Sequence, residues 1–228
     1  MGGGFREWSE VMAPESEVTT QDTAERLAGL VRGAAQRGWA VGTSGNFSAV
    51  VGADPIRLVI TPSGADKGMV RAEDMVVIDA QGAVEAGGGR PSAETALHLA
   101  IVRARGARAV SHTHSVWSTL LSEAAFPAGG VAIEGYEMLK GLSGVTTHAH
   151  REWLPVIENT QDWAAEAHRV ESLLRGQPQA HGLLIRRHGL YTWGRDIGEL
   201  KRHLEILEFL LEVVGRSGDG QGGQKWPL

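Results

Sequence analysis

The sequence predicts a single α/β domain in which a largely antiparallel or mixed sheet is flanked by helices. Helical and strand patterns are interleaved along the chain, but they do not follow the strict strand–helix alternation typical of parallel sheets. Of the 228 residues, 42% are hydrophobic, and no Pro/Gly/Ser-rich linker divides the middle of the chain. We therefore expect one domain over residues 19–214, a flexible arm over 1–18 and a flexible tail over 215–228.

Helices are predicted where apolar residues recur three and four positions apart. The first candidate can be capped by Thr19, Thr20 or Asp22, and the second by Ser92, which follows Pro91. Ser115 is the predicted cap of the third. The predicted helices cover 19–36, 92–104, 115–122, 162–175 and 196–214, with a shorter one over 134–142.

Short apolar runs bounded by turn residues predict the strands. The run that begins at Gly182 is apolar throughout, which is typical of a buried strand, and the following run is its predicted hairpin partner. The predicted strands cover 47–51, 57–60, 75–79, 108–111, 153–157, 182–186 and 190–193.

Composition excludes several classes of function. The net charge of −5 argues against a nucleic-acid partner, which favours a basic face. No apolar stretch approaches the roughly 20 residues of a membrane span, and no signal-peptide core opens the chain, so we expect a cytoplasmic protein. The chain has no cysteine. Thiolate catalysis is therefore excluded, and any metal must be held by His, Asp or Glu.

The strongest chemical signal is His112-Thr113-His114, which follows an apolar strand. Residues two apart on a strand point to the same side, so both imidazoles can reach one ion. Imidazole suits zinc, and catalytic zinc usually has three protein ligands. His188 also follows an apolar strand and is the candidate third ligand, although a polar residue in a hairpin turn has the same pattern. His148 and His150 form a second such pair, but Arg151 and Glu152 after it favour a solvated loop.

Small polar turns are candidates for binding a phosphate, because they expose backbone N–H groups and hydroxyls. Two such turns occur, at 43–46 and 61–64, and a serine at a helix start adds a further donor. Lys67 could supply a counter-charge or simply lie exposed on the surface. The candidate phosphate-binding residues are Ser44, Gly45, Asn46, Ser63, Gly64 and Ser92.

Two glutamates are candidates for acid–base catalysis. Glu94 lies in the first turn of a predicted helix, where a carboxylate also compensates the helix dipole. Glu137 lies in a predicted short helix, where it can equally form an exposed contact with Lys140. Composition and spacing alone do not choose between them.

Together, these segments resemble the class II aldolase/adducin-head family. The resemblance covers residues 20–212 and rests on Gly45-Asn46, Thr61-Pro62-Ser63-Gly64, Arg90-Pro91-Ser92-Ala93-Glu94, His112-Thr113-His114 and Arg187-His188-Gly189, in that order. It implies a three-layer α/β/α sandwich with a central, mainly antiparallel sheet. It also implies one zinc ion per subunit on His112, His114 and His188, a phosphate site built by the two polar turns and Ser92, and Glu94 as an acid–base group beside the metal.

Three further segments resemble the methionine-salvage dehydratases within this family. They are Glu137–Gly141, Pro155–Thr160 and Arg186–Gly194. This resemblance implies zinc-dependent dehydration of 5-methylthioribulose 1-phosphate, a small phosphorylated sugar, with Glu137 as the main acid–base residue. A sugar-phosphate aldolase or 4-epimerase is the alternative, and a non-catalytic adducin-head-like module is disfavoured because all three metal histidines are present. The family also implies a homotetramer.

Overall fold

The structure, a computed structural model, describes residues 19–218. The predicted arm, 1–18, and residues 219–228 of the predicted tail lie outside the described residues. The helices are α1 (Thr20–Gln36), α2 (Thr95–Arg105), α3 (Val116–Ala125), α4 (Trp163–Gly176) and α5 (Ile197–Ser217). The strands are β1 (Asn46–Ala53), β2 (Ile56–Ile60), β3 (Val76–Ile78), β4 (Val84–Ala86), β5 (Ala109–Thr113), β6 (Gly130–Glu134), β7 (Arg151–Ile157), β8 (Gly182–Ile185) and β9 (Gly189–Gly194).

The strands of the described range form one sheet in the order β4-β3-β2-β1-β5-β9-β8-β7-β6. β7 and β8 run parallel, whereas the other neighbouring strands run antiparallel. The centre of the sheet is therefore β1, β5 and β9, in which His112 pairs with Asn46 on one side and Tyr191 on the other. The prediction of a mainly antiparallel central sheet is confirmed.

Helices cover both faces of this sheet and give the predicted three layers. α1, α3 and α5 pack on one face, and α2 and α4 pack on the other. Neighbouring residues of β5 show the division, since Ala109 joins the first core and Val110 the second. This alternation follows from the two-residue period of a strand, and it buries β5 on both faces.

Most helix starts agree with the predicted caps. Thr19 and Asp22 form a reciprocal capping box at α1, and the Ser115 hydroxyl accepts from the Ser118 N–H at α3. The predicted cap at Ser92 is wrong, because α2 begins only at Thr95. Pro91 is held in an isolated bridge to Pro62, which keeps the chain extended past the predicted start.

Two edge strands were not predicted from the sequence. β4 is three exposed residues long and has no apolar run, and the apolar run of β6, Val131–Ile133, is shorter than the runs that mark a strand. The predicted helix over 134–142 is instead the end of β6 followed by a 3-10 helix, Glu137–Gly141. The start of the predicted helix, Glu134, is a strand residue instead, because residues 130–134 all pair with β7.

The last helix continues three residues beyond the predicted end of the domain at residue 214. Gly215 is buried against the Trp117 ring, where an added Cβ would lie 2.1 Å from a ring carbon, so packing carries the helix forward. Gly218 then ends it in the left-handed conformation. Of the helices in residues 19–218, none combines the length and apolarity needed to cross a lipid bilayer.

Candidate metal centre

The candidate site lies at one end of the central strands. β5 ends at Thr113 and β9 begins at Gly189, and the two strands are paired up to Thr113 and Leu190. His114 directly follows the first strand and His188 directly precedes the second. The antiparallel pairing therefore brings together histidines that are 74 or more positions apart in the chain.

The three imidazoles converge through their Nε2 atoms. His112 Nε2 lies 2.8 Å from His114 Nε2 and 3.2 Å from His188 Nε2. The three residues form a group whose ligand atoms could hold one metal ion. His112 is fully buried, and the side chains of the other two are partly buried, so the cluster opens toward solvent on one side.

The protonation of the cluster suits metal binding, which requires neutral imidazoles. Burial, followed by the neighbouring histidines, holds the pKa of His112 well below its usual range. Burial also lowers the pKa of His114 to about 4 and lowers the pKa of His188. His112 Nδ1 lies 3.1 Å from the Leu190 carbonyl oxygen. With the Nδ1 proton donated to that oxygen, the Nε2 lone pair is directed into the cluster.

Glu94 lies against the same cluster. Its Oε2 is 3.4 Å from His112 Nε2, and its Oε1 is 3.3 Å from His188 Nε2. The carboxylate is buried and accepts hydrogen bonds from Asn46 Nδ2 at 2.8 Å and the Tyr191 hydroxyl at 3.0 Å. Three imidazoles and one carboxylate are the donor set that a divalent ion such as zinc takes in proteins. The residues present therefore fit the metal that the family implies.

A buried polar network lies behind Glu94. The sequence predicted Asn46 as a site residue, but it did not predict that Tyr191 and His98 belong to the same network. Tyr191 stacks on the His112 ring with centroids 4.1 Å apart, and burial together with the Glu94 charge raises its pKa well above the usual value. His98 contacts Ser48 through Nδ1 at 2.7 Å and contacts the Asn46 side-chain oxygen through Nε2. The network runs from α2 through Asn46 to the cluster. The strand register that brings Tyr191 beside His112 has no signal in the local sequence.

The first polar turn packs directly against the metal cluster. Gly45 has φ +74°, and a Cβ there would lie 2.7 Å from the His112 carbonyl oxygen. Asn46 is buried, and its Nδ2 donates hydrogen bonds to Ser92 Oγ and to Glu94 Oε2. These two donors are therefore not free to bind a ligand. Ser44 Oγ is buried with no hydrogen-bond partner.

The second polar turn is more exposed. Ser63 and Gly64 are on the surface, and the Ser63 N–H donates to the Arg90 carbonyl at 2.8 Å. Ser92 Oγ accepts from both Asn46 Nδ2 and the Glu94 N–H. The segment that carries Ser92 is thus joined to both turns, as the predicted phosphate site requires. Whether these residues bind phosphate stays a prediction.

Of the two alternatives for Lys67, the exposed surface position is wrong, because its side chain is buried. Its role as a counter-charge stays a prediction. Burial lowers its pKa. Its ammonium group donates to the carbonyl of Thr43 in the first polar turn and to the carbonyl of Ala65, which directly follows the second.

Glu137 lies apart from the histidine cluster. Its side chain is 69% exposed, its Oε1 accepts from Lys140 Nζ, and its Oε2 is 3.8 Å from His148 Nδ1. Among the described residues its contacts do not include the metal histidines or Glu94. The Lys140 contact lowers the pKa of Glu137, so its carboxylate is ionised at neutral pH.

The second histidine pair does not share one site. His148 is exposed near Glu137, whereas His150 contacts Glu152, whose buried carboxylate also contacts His181. His181 places both ring nitrogens on acceptors, the Glu152 carboxylate and the Ser143 carbonyl. Its pKa is raised because the hydrogen bond and charge of Glu152 outweigh the opposing effect of burial. Both ring nitrogens of His181 are therefore already engaged within the protein.

Known proteins resemble this chain over most of its length. A methylthioribulose-1-phosphate dehydratase of Sorangium cellulosum (strain So ce56) is 45% identical over 193 residues, covering 84% of this chain and 90% of the relative. A protein of the same name from Alcanivorax borkumensis is 42% identical and covers 88% of this chain and 93% of the relative.

The fold recurs in solved structures. An L-fuculose 1-phosphate aldolase superposes with a TM-score of 0.72 at 20% identity, and the match covers 93% of each chain. Identity at this level supports the fold alone. Residues 25–214 also match the family described as "Class II Aldolase and Adducin N-terminal domain". This chain belongs to the class II aldolase and adducin N-terminal domain family.

Proposed function

We propose that this chain is a lyase that dehydrates 5-methylthioribulose 1-phosphate to 2,3-diketo-5-methylthiopentyl 1-phosphate. We further propose that it uses one zinc ion per subunit and works as a cytoplasmic homotetramer in methionine salvage. The observation that carries the proposal is the three-imidazole cluster with Glu94 against it, in a chain 41–45% identical to proteins named for this dehydration.

In this proposal, His112, His114 and His188 hold the metal. A bound divalent ion supplies Lewis acidity, which stabilises negative charge on the substrate's C2 carbonyl oxygen and makes the C3 proton more acidic. Glu94, bound by Asn46 and Tyr191, is held beside the cluster and keeps the His112 and His188 rings in place.

The proposed reaction moves one proton and removes one hydroxide. Glu137 takes the C3 proton as general base, and its low pKa ensures that it is ionised. The released electron pair forms the C3–C4 double bond as the C4–oxygen bond breaks. The departing hydroxide takes a proton from Glu137 and leaves as water. The remaining enol then tautomerises to the diketone.

The exposed position of Glu137 supports this role, because a substrate can reach a carboxylate that no fold element covers. The family resemblance assigns the acid–base role to Glu137, whereas Glu94 contacts the His112 and His188 rings. In this proposal, Glu94 therefore orients the metal ligands and Glu137 transfers protons. An aldolase would use the same metal cluster but would break a carbon–carbon bond, so the fold does not separate the two reactions.

The test is diketone formation from 5-methylthioribulose 1-phosphate by zinc-loaded protein. We expect turnover by the wild type, loss of zinc and activity in His114→Ala, and loss of activity with zinc retained in Glu137→Gln. Glu134→Gln is the matched control, since Glu134 is similarly exposed, at 68%, and pairs with Arg151. It should keep full activity.

Absence of turnover in zinc-loaded wild type would overturn the dehydratase proposal. Cleavage of fuculose 1-phosphate, or epimerisation of ribulose 5-phosphate, would then identify a sister activity. Full activity in Glu137→Gln with loss in Glu94→Gln would move the proton transfer to Glu94. Light scattering tests the tetramer, which requires four times the mass of the chain.

A further inference from the structure

Lys67 joins the two polar turns beside the metal cluster. Its side chain is 1% exposed, and its ammonium donates to the Thr43 carbonyl at 3.0 Å and the Ala65 carbonyl at 2.9 Å. Thr43 opens the first polar turn, and Ala65 directly follows the second. One buried side chain therefore sets the distance between two backbone segments that are more than 20 positions apart.

The positive charge of Lys67 is not matched by an ion pair in the described residues. Both observed acceptors are neutral carbonyls, and an ammonium has a third N–H to donate. Asp66 attracts it through space, but Asp66 Oδ1 accepts from the Gly68 N–H. A buried charge without a paired anion is costly. An anion that binds from outside the protein would therefore be attracted to this ammonium group and would stabilise it.

The first polar turn, which Lys67 binds, also lies beside the histidine cluster. It packs against the His112 carbonyl through Gly45, and Ser44 Oγ in that turn is buried and unpartnered. A phosphate bound by the turns would therefore lie near both a buried cation and the candidate metal centre.

We propose that Lys67 is a positioning residue for the substrate's phosphate: it clamps the two turns together, and its charge attracts the dianion that they bind. This inference rests on the proposed function in one respect, that the substrate is a phosphate ester. It assigns to Lys67 a contribution to substrate affinity, which a purely structural cross-link would not make.

The direct test is calorimetric titration of zinc-loaded protein with inorganic phosphate. Lys67→Gln keeps a hydrogen-bond donor but removes the charge, and Lys67→Met removes both. Lys201→Met is the control, because Lys201 is an exposed lysine paired with Glu205. We expect both Lys67 variants to bind phosphate about 10- to 100-fold more weakly than the wild type, with unchanged zinc content. The control should match the wild type, and equal affinity in Lys67→Gln and wild type would overturn the proposal.

Kinetics separate positioning from mere structural support. With the proposed substrate, Lys67→Gln should raise KM much more than it lowers kcat, because the charge acts on the phosphate and not on the reacting carbons. A change confined to thermal stability, with KM unaltered, would make Lys67 a structural cross-link and refute the inference.

A wild-type measurement keeps the test decisive if the variants do not fold. The chain has four lysines, Lys67, Lys140, Lys201 and Lys225, so the side-chain nitrogen signals of 15N-lysine-labelled protein can be assigned. We expect the Lys67 signal to move on addition of phosphate while those of Lys140 and Lys201 stay fixed. A fixed Lys67 signal at saturating phosphate would sink the proposal. Phosphate binding without dehydratase turnover would instead refute the proposed reaction and leave the role of Lys67 standing.

Discussion

Glu208 offers a direct test of how burial controls this fold. It lies on α5 with only 3% of its surface exposed, and its Oε1 accepts from the Thr113 hydroxyl at 2.5 Å. Thr113 stands between two of the metal histidines, so this contact ties the helix to the end of β5. Burial raises the pKa of Glu208 to about 7, against an ordinary value of 4.5. Glu208→Gln keeps the shape of the side chain and removes its titration.

The expected effect has a definite sign. Because the folded pKa is raised, the folded protein holds the Glu208 proton more tightly than the unfolded chain does. The resulting stabilisation is complete below about pH 4.5 and is lost as the pH rises through about 7. A difference of about 2.5 pKa units corresponds to roughly 3 kcal/mol of the free energy of unfolding. The wild type should therefore lose about this much, relative to Glu208→Gln, as the pH is raised.

Urea unfolding between about pH 5 and about pH 8 measures this difference, since the pH dependence of every other group is shared by wild type and variant. Glu171→Gln is the control, because Glu171 lies on α4 and pairs with Arg175 away from this contact. The control should follow the wild-type curve. If the Glu208→Gln and wild-type curves run parallel over the whole range, Glu208 is not held in its protonated form and the reasoning fails.

Three further substitutions test the metal centre. Glu94→Gln should preserve the fold by circular dichroism but lower the turnover number by about 10- to 100-fold, because Glu94 orients the His112 and His188 rings; wild-type turnover would exclude Glu94 from the site. Tyr191→Phe removes the hydroxyl that donates to Glu94 and should cost about 1 kcal/mol in urea unfolding, whereas an unchanged or higher stability would show that this bond contributes nothing. Gly45→Ala should destabilise the protein by about 1–3 kcal/mol and reduce its zinc content. Gly38→Ala is the control, because Gly38 has φ +75° but an added Cβ there would meet no atom within 4 Å. If calorimetry shows an equal loss of stability in the two variants, the clash with the His112 carbonyl is ruled out.

The features that could be predicted from the sequence are those set by neighbours in the chain. The capping box at Thr19 and the apolar spacing of α1 depend on residues three and four positions apart, so the helix was predicted within one residue. The two apolar strands that lead to His112 and His188 likewise placed both residues at strand ends. The comparison with known proteins confirms the family that these segments indicated.

The features that could not be predicted depend on contacts between distant segments. The isolated bridge of Pro91 to Pro62 delays the start of α2 and frees Ser92 from its predicted capping role. β6 was missed because its apolar run is short, and its pairing with β7 along its whole length is a contact between distant segments. Lys67 looks like any surface lysine in the sequence, and only the tertiary structure buries it beneath two turns.

The candidate metal centre is held from both faces of the sheet, so much of its support comes from residues that are distant in the sequence. On the face covered by α2, His98 fixes Asn46, and Asn46 in turn donates to Glu94. On the face covered by α5, Glu208 fixes Thr113 in the strand that carries His112. Rigid support from two layers would keep the three imidazoles in place before a metal binds, as the proposed site requires if it is to bind an ion and still leave room for a substrate. The cluster therefore depends on the packing of the whole domain and not only on the spacing of its histidines.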